Sequence, residues 1–313
     1  MTMYQLKNMT LVAEFILLGF SPIPQFIPLV FCLVLLSYIL TMLGNFLILT
    51  LVFLNSRMQS PMYLFLVNLA VVDICFINTT VPNFLNNITK DRKTISLACC
   101  LTQLFFYFFV GTVEFLLLAV MSIDRYLAIC YPLHYAAIMK KRVCIQLITG
   151  VWLGSFFSIC IPVYFVMKLK FCFPEIDHFF CDVGPLLKNS CTNTAHIENW
   201  VLFASSSLFI VSFSVTFLSY MTIIITVVKI HSAGGKQRVF STCSSHGIVV
   251  TLVYGSCMFM YSRPTKHQEF SLSKKVSILN TIVVPLINPF IYTLRNQNVK
   301  ETIVDVFLKL TKN

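Results

Sequence analysis

Seven stretches of this 313-residue chain are apolar over at least roughly 18 residues, the length a helix needs to cross about 30 Å of hydrocarbon. They run Phe26 to Leu54, Met62 to Leu85, Thr94 to Ile123, Val143 to Met167, Trp200 to Val228, Val239 to Ser262 and Val276 to Leu294. Inside a bilayer every backbone N–H and C=O must find its partner within the protein, so such a chain has little choice but a bundle of helices. The composition agrees. With 57% hydrophobic and 11% charged residues and a mean hydropathy of +0.82, an ordinary soluble domain is excluded. The formal net charge of +11 is scattered in small clusters between apolar runs, without the stripe or tail that nucleic acid would require. The expected fold class is an all-α membrane protein, a seven-transmembrane helix bundle over 26–294, with a leader over 1–25 and a tail over 295–313.

An odd number of spans puts the termini on opposite sides. With the amino terminus extracellular, the inner side holds twelve basic residues (Arg57, Arg125, Lys140, Lys141, Arg142, Lys229, Lys236, Arg238, Arg295, Lys300, Lys309 and Lys312) against three acidic ones. The outer side then holds eleven basic against seven acidic. The positive-inside rule selects this orientation. Two glycosylation sequons agree with it, Asn8-Met9-Thr10 and Asn87-Ile88-Thr89; Asn8 is the expected acceptor, since Asn87 lies close to a span. The leader has no basic start, no small-residue cleavage site and an interrupting Glu14, so no cleaved signal peptide is expected. In the tail, Val299, Ile303, Val304 and Phe307 share one helical side and Lys300, Glu301, Asp305 and Lys309 lie elsewhere, the pattern of a short amphipathic eighth helix along the inner leaflet.

The third window carries most of the chemistry. It ends in Asp124-Arg125-Tyr126, where a run broken only by Glu114 meets a basic segment. An arginine snorkelling to the interface is the packing explanation for Arg125 alone. Tyr107, Gly111, Glu114, Leu118 and Arg125 are spaced to share one face of a 3.6-residue period, so one stripe reaches three depths. Its outer part, with Tyr107, Phe108, Gly111 and Thr112, would line a ligand cavity, although Phe108 alone reads best as ordinary packing. Asp73 and Glu114 are the only acidic residues within the spans, and ionisable groups there are expensive and usually functional. Facing each other, both could not stay ionised: one holds a proton, or a cation binds between them. Cys99, Cys100, Cys172, Cys181 and Cys191 lie on the outer side, and four paired cysteines leave three connectivities open.

Asp124-Arg125-Tyr126, Gly44-Asn45, Asp73, Trp152 and Asn288-Pro289-Phe290-Ile291-Tyr292, in this order of helices, resemble the rhodopsin-like G-protein-coupled receptors. Finer motifs resemble one branch, the vertebrate olfactory receptors. These are Pro61-Met62-Tyr63, Met121 to Tyr135 ending in Cys130-Tyr131-Pro132-Leu133-His134-Tyr135, Ser219-Tyr220, Phe240-Ser241-Thr242-Cys243-Ser244-Ser245-His246, and Pro285-Leu286-Ile287-Asn288-Pro289. The chain departs from the branch at Ser122-Ile123, where Ala-Tyr is usual, and at Arg238-Val239, where Lys-Ala is usual.

The resemblance implies an odorant receptor that binds a small, mostly apolar volatile molecule and activates a stimulatory heterotrimeric G protein, raising cyclic AMP. Matching the family's pocket adds Ala204, Leu208, Tyr254, Cys257, Tyr261 and Thr281. It implies a sodium ion as allosteric modulator at Asp73 and Glu114, with Asn45 and Asn288; no cofactor is required. It assigns the coupling switch to Asp124, Arg125, Tyr126, Tyr220, His246 and Tyr292, and the disulfides to Cys100 with Cys181 and Cys172 with Cys191. Pro285 and Pro289 would let the seventh helix bend, and Gly234-Gly235 would relax the third inner loop. Lys266, Lys274 and Lys275 read as solvated loop lysines. The alternative is a rhodopsin-like receptor for a non-odorant endogenous metabolite. A retinal protein would need a lysine within Val276 to Leu294, which has none. A transporter would more often show an internal repeat, and no Gly-x-Ser-x-Gly, His-Glu-x-x-His or phosphate loop marks an enzyme.

Overall fold

A computed structural model describes residues 12–19, 24–55, 58, 60–90, 93–229, 233–261, 269–295 and 299. Its helices are α1 (Ile27–Leu54), α2 (Pro61–Ile88), α3 (Leu97–Cys130), α4 (Pro132–Ile138), α5 (Lys141–Met167), α6 (Val183–Lys188), α7 (Ala195–Val228), α8 (Ala233–Tyr261), α9 (Glu269–Ile278) and α10 (Val284–Arg295). A π-helical segment, Leu279–Val283, joins α9 to α10, so the three form one seventh span. Helices α1, α2, α3, α5, α7 and the Lys274–Tyr292 stretch are each long and apolar enough to cross a membrane; α8 contributes the apolar stretch Cys243–Met258. Proline opens α1, α2 and α4, where its missing N–H costs nothing. Ser96 caps α3 by accepting a hydrogen bond from the Cys99 amide at 3.2 Å. The expected amphipathic tail helix, apart from Val299, and the Asn8 sequon lie outside the described residues.

Sorting by face follows the solvent. The outward sides of α1 and α7 expose Leu29, Leu33, Leu43, Phe203 and Leu218, as lipid-facing helices should, while Asn45, Asp73, Glu114, Arg125, His246 and Asn288 turn inward and are buried. One apolar core joins α1, α2, α3, α5, α8 and α10 through Leu51, Phe65, Leu69, Leu117, Leu118, Val151, Val249 and Val284.

Three expectations are corrected. Thr94 to Ser96 does not belong to the third helix but forms strand β2. It pairs antiparallel with β1 (Glu14–Leu17), which pairs in parallel with β3 (Glu175–Ile176), giving the order β2-β1-β3. The alternation Glu14-Phe15-Ile16-Leu17 explains the strand: Phe15 and Leu17 are buried beneath the sheet while Glu14 and Ile16 face away. The leader therefore supplies the middle strand of a small cap over a second apolar core that includes Leu104, Val166 and Leu186. Gly234 and Gly235 lie within α8 rather than in a loop; glycine costs a helix only about 1 kcal/mol, which a long continuing helix absorbs. Lys274 and Lys275 are helical, in α9, and Lys274 is buried, its ammonium paired with Asp177 and donating to the Gly19 carbonyl at 3.3 Å.

The proline-rich seventh span shows how its defects are repaired. Pro289 has no N–H to give to the carbonyl four residues earlier, that of Pro285. Asn45 of α1 supplies the missing donor, with its amide 3.4 Å from the Pro285 oxygen and 3.0 Å from that of Thr41. Gly44 makes this approach possible: a Cβ there would sit 2.9 Å from Pro289 Cβ and 3.1 Å from its Cγ. The π segment ends two residues before Pro285 and contains Thr281, so its wider turn relieves the clash of the proline ring with the Thr281 carbonyl.

Candidate functional site

Every member of the predicted α3 stripe faces the interior: Tyr107 and Gly111 are half-buried, and Glu114, Leu118 and Arg125 are buried. At the sheet end, the Tyr107 ring packs at a tilt against Phe180 of the β3–α6 loop, with centroids 4.3 Å apart, and against Phe76 of α2 at 5.0 Å. Cys100 is bonded to Cys181 and Cys172 to Cys191, which ties the connection between α5 and α7 to α3 and folds that connection on itself. Gln103 adds a further tie, accepting from the Cys181 amide at 3.0 Å and donating to the Thr79 carbonyl of α2 at 2.8 Å.

The remaining pocket candidates differ in their surroundings. Thr112, Tyr254, Cys257 and Thr281 are buried, and Ala204 and Leu208 on α7 are half-buried. Phe108 packs into the core beneath the sheet. Tyr254 is held on all sides: its ring meets Phe115 at 5.2 Å and Phe209 and Phe213 each at 5.7 Å, and its hydroxyl lies 3.4 Å from Thr216 and from the Phe115 carbonyl. The side chain of Tyr261 lies outside the described residues.

Midway along the stripe, Asn288 donates its amide to both Asp73 oxygens, at 3.0 and 3.1 Å. Glu114 is near enough for its charge to act on Asp73 and on Cys257. Among the described residues no group of three or more His, Cys, Asp or Glu side chains forms a metal cluster. The oxygens left without a partner are nonetheless hard donors: Asn45 Oδ1, Asn288 Oδ1 and Glu114 Oε1 are buried and unpaired. Buried orphan oxygens beside carboxylates are chemically suited to a small hard cation such as sodium.

At the far end, Asp124 Oδ2 pairs with Arg125, whose Nε donates at 3.1 Å, in a pair almost entirely out of solvent. Its other oxygen, Oδ1, accepts from Tyr135 of α4 at 2.7 Å. Burial first, and then the Asp124 charge, hold the Tyr135 hydroxyl above the usual phenol range, so it remains a proton donor. Tyr220 of α7 lies 2.7 Å from His246 Nδ1 of α8 with the rings stacked, while His246 Nε2 and the Tyr292 hydroxyl are buried with no partner among the described residues. Ser245 Oγ donates to the Ile291 carbonyl at 3.3 Å, tying α8 to α10. Tyr126 turns instead to Tyr131, edge to face at 5.7 Å.

Sequence reasoning missed Tyr135 as a partner of Asp124, although it closes the Cys130 to Tyr135 motif and lies 11 positions from the acid. It also missed Lys274 with Asp177, for which no local signal exists, since the partners are 97 residues apart. Asn87, an open sequon, is buried in the last turn of α2 with its amide donated to Asn83 Oδ1 at 3.0 Å, which removes it as an accessible acceptor.

Comparison with known proteins agrees with this geometry. The family model described as 7 transmembrane receptor (rhodopsin family) matches residues 44–292. Human olfactory receptor 6C4 is 46% identical over 308 residues, covering 98% of this chain and all of the relative. Human olfactory receptor 2AP1 is 47% identical over 97% of this chain and 99% of the relative, and human olfactory receptor 6C70 is 46% identical over 97% and 98%. With a bundle of membrane-crossing helices, a buried Asp124–Arg125 pair and relatives of this similarity over almost its full length, the chain belongs to the olfactory receptors of the rhodopsin family, multi-pass plasma-membrane receptors rather than enzymes.

Proposed function

We propose that the chain is an odorant receptor that binds a small, mostly apolar volatile molecule at the sheet end of the bundle and activates a stimulatory heterotrimeric G protein at the opposite end, raising cyclic AMP. The observation that carries this reading is the continuous inward face of α3, which joins Tyr107 beneath the disulfide-tied loop to Arg125 on one rigid element. The candidate lining, Tyr107, Gly111, Thr112, Ala204, Leu208 and Cys257, is aromatic and aliphatic with a few polar atoms, which suits dispersion and one or two hydrogen bonds. None of these six residues carries a carboxylate that could hold an amine. The amino terminus and the sheet then lie outside, and α4 with the Asp124–Arg125 pair lies at the cytoplasm, in keeping with the positive-inside rule.

In the state described, Asp124 holds Arg125, and Tyr135 holds Asp124. Activation releases the guanidinium to face the G protein while Tyr220, now bonded to His246, exchanges partners with His246 Nε2 and the Tyr292 hydroxyl, which have none among the described residues. A sodium ion bound by Asp73 and Glu114 with Asn45 and Asn288 would supply positive charge that favours the resting arrangement. The test is cyclic AMP in cells expressing the chain, challenged with volatile compounds, beside Arg125→Ala at equal surface expression. A response that the variant lacks supports the reading; a response that the variant retains refutes it.

A further inference from the structure

The π segment of the seventh span changes what the helix presents to the bundle. Its wider turn, closed by i to i+5 bonds, shifts the phase of the residues it contains. Two consecutive polar residues, Asn280 and Thr281, are thereby both drawn from lipid: Thr281 is fully buried and Asn280 half-buried. Neither polar group is well matched. Asn280 Oδ1 lies 2.7 Å from Ser256 Oγ of α8, whose single proton it shares with the Val253 carbonyl at 2.8 Å, and its NH2 faces Cys257 Sγ at 3.9 Å. A thiol at that distance is a weak acceptor for a strong donor. The Thr281 hydroxyl has no partner among the described residues, although it is out of solvent. An unmet buried donor is costly, and its persistence beside a candidate pocket residue suggests a group kept for a visitor.

We propose that Asn280 is a specificity-determining residue of the ligand site: its amide, with the Thr281 hydroxyl beside it, forms a hydrogen-bonding subsite for an oxygen acceptor on the ligand, the carbonyl of an aldehyde, ketone or ester. This deepens the odorant-receptor reading and rests on it. Two features select that class. The subsite offers neutral donors, and Lys274, the buried basic residue of the same span, is spent on Asp177 and Gly19, so a neutral acceptor is favoured over an acid. Its other wall, the buried Cys257 thiol, is soft and a weak acceptor, so it competes poorly with a ligand oxygen. A ligand oxygen that replaces the thiol as acceptor turns the weakest contact of the cluster into a normal hydrogen bond, while the Ser256 link keeps the amide oriented. A hydrocarbon of the same shape would leave both donors unmet, and sites built to hydrogen-bond their ligand reject the analogue lacking that atom.

The experiment compares medium-chain aldehydes, ketones and esters with the alkanes and alkenes of matching length in a cyclic AMP assay. Wild type is set beside Asn280→Leu, Thr281→Val and Thr281→Ser, all at matched surface expression, with Arg125→Ala reporting ligand-independent signalling. Carbonyl compounds should be the agonists. Asn280→Leu should raise their half-maximal concentrations at least about tenfold, roughly 1.4 kcal/mol, Thr281→Val should act in the same direction, and Thr281→Ser should restore wild-type values. If Asn280→Leu shifts hydrocarbons and carbonyl compounds alike, the amide is helix-to-helix glue and the proposal fails. If the panel yields no carbonyl agonist while basal signalling above Arg125→Ala is intact, the ligand class is wrong and the receptor reading stands. If neither response nor basal signal exceeds Arg125→Ala, the receptor reading and the subsite fall together.

Discussion

Removing one hydroxyl from Tyr135 should release Arg125 part of the way. The Tyr135 hydroxyl donates to Asp124 Oδ1 at 2.7 Å, and Asp124 uses its other oxygen to hold Arg125, so the tyrosine orients the acid rather than the arginine. A hydrogen bond to a charged group contributes about 1.5–3 kcal/mol. Tyr135 is half-buried, so the lower end applies. About 1.5 kcal/mol changes the ratio of released to held arginine about tenfold; a released state at about 1% would rise to about 10%, within the range over which minor conformations are populated. Tyr135→Phe keeps the ring and its packing and deletes only the donor. Basal cyclic AMP at matched surface expression should therefore rise several-fold, and less than in Asp124→Asn, where the ion pair itself is lost. Basal activity unchanged in Tyr135→Phe but raised in Asp124→Asn would show that the tyrosine does not stabilise the resting arrangement, and the reasoning would fail.

Three further outcomes follow from the packing and the charges. Gly44→Ala places a methyl group 2.9 Å from the rigid Pro289 ring, so α1 and α10 must part; overpacking of this kind costs about 1–3 kcal/mol, and the thermal midpoint in detergent should fall by several degrees, whereas Gly154→Ala, with nothing within 4 Å, should leave it in place. His178, buried and beside Lys274, has its imidazole pushed down to about 3. The unfolded chain then takes up the proton first, so the stability of the capping loop should be full above about pH 6.5 and decline as pH falls from there toward 3; His178→Gln should flatten that decline in a thermal melt taken between pH 7 and pH 5. Asp73→Asn should abolish any dependence of agonist affinity on sodium at constant ionic strength, and a sodium effect of wild-type size in the variant would place the cation elsewhere.

The bundle was legible because its signal is long and local. Seven apolar runs with Arg and Lys biased to alternate sides need no knowledge of tertiary contacts, and the α3 stripe follows from helical period alone. The helix ends and the cap were not legible in the same way. Thr94 to Ser96 is apolar enough to pass for helix, and only pairing with Phe15 and its neighbours, about 80 residues away, makes it a strand. Lys274 looked solvated because its fate depends on Asp177 and on the Gly19 carbonyl, both distant in sequence. At the site, motifs found Asp124, Arg125, Tyr220 and His246. They passed over Tyr135, whose role needs the turn of α4 to bring it under Asp124, and Asn280, which faces inward within a π segment.

The claim that one face of α3 couples ligand to G protein is tested most directly by measuring agonist binding to membranes with and without a purified stimulatory heterotrimer, in wild type and in Arg125→Ala. Coupling between two sites is reciprocal, so a G protein that prefers the released arginine must tighten agonist binding by the same factor by which agonist tightens G-protein binding. The account predicts at least severalfold higher agonist affinity with the heterotrimer in wild type and no change in Arg125→Ala. Affinity indifferent to the heterotrimer in wild type, or equally raised in the variant, would contradict it.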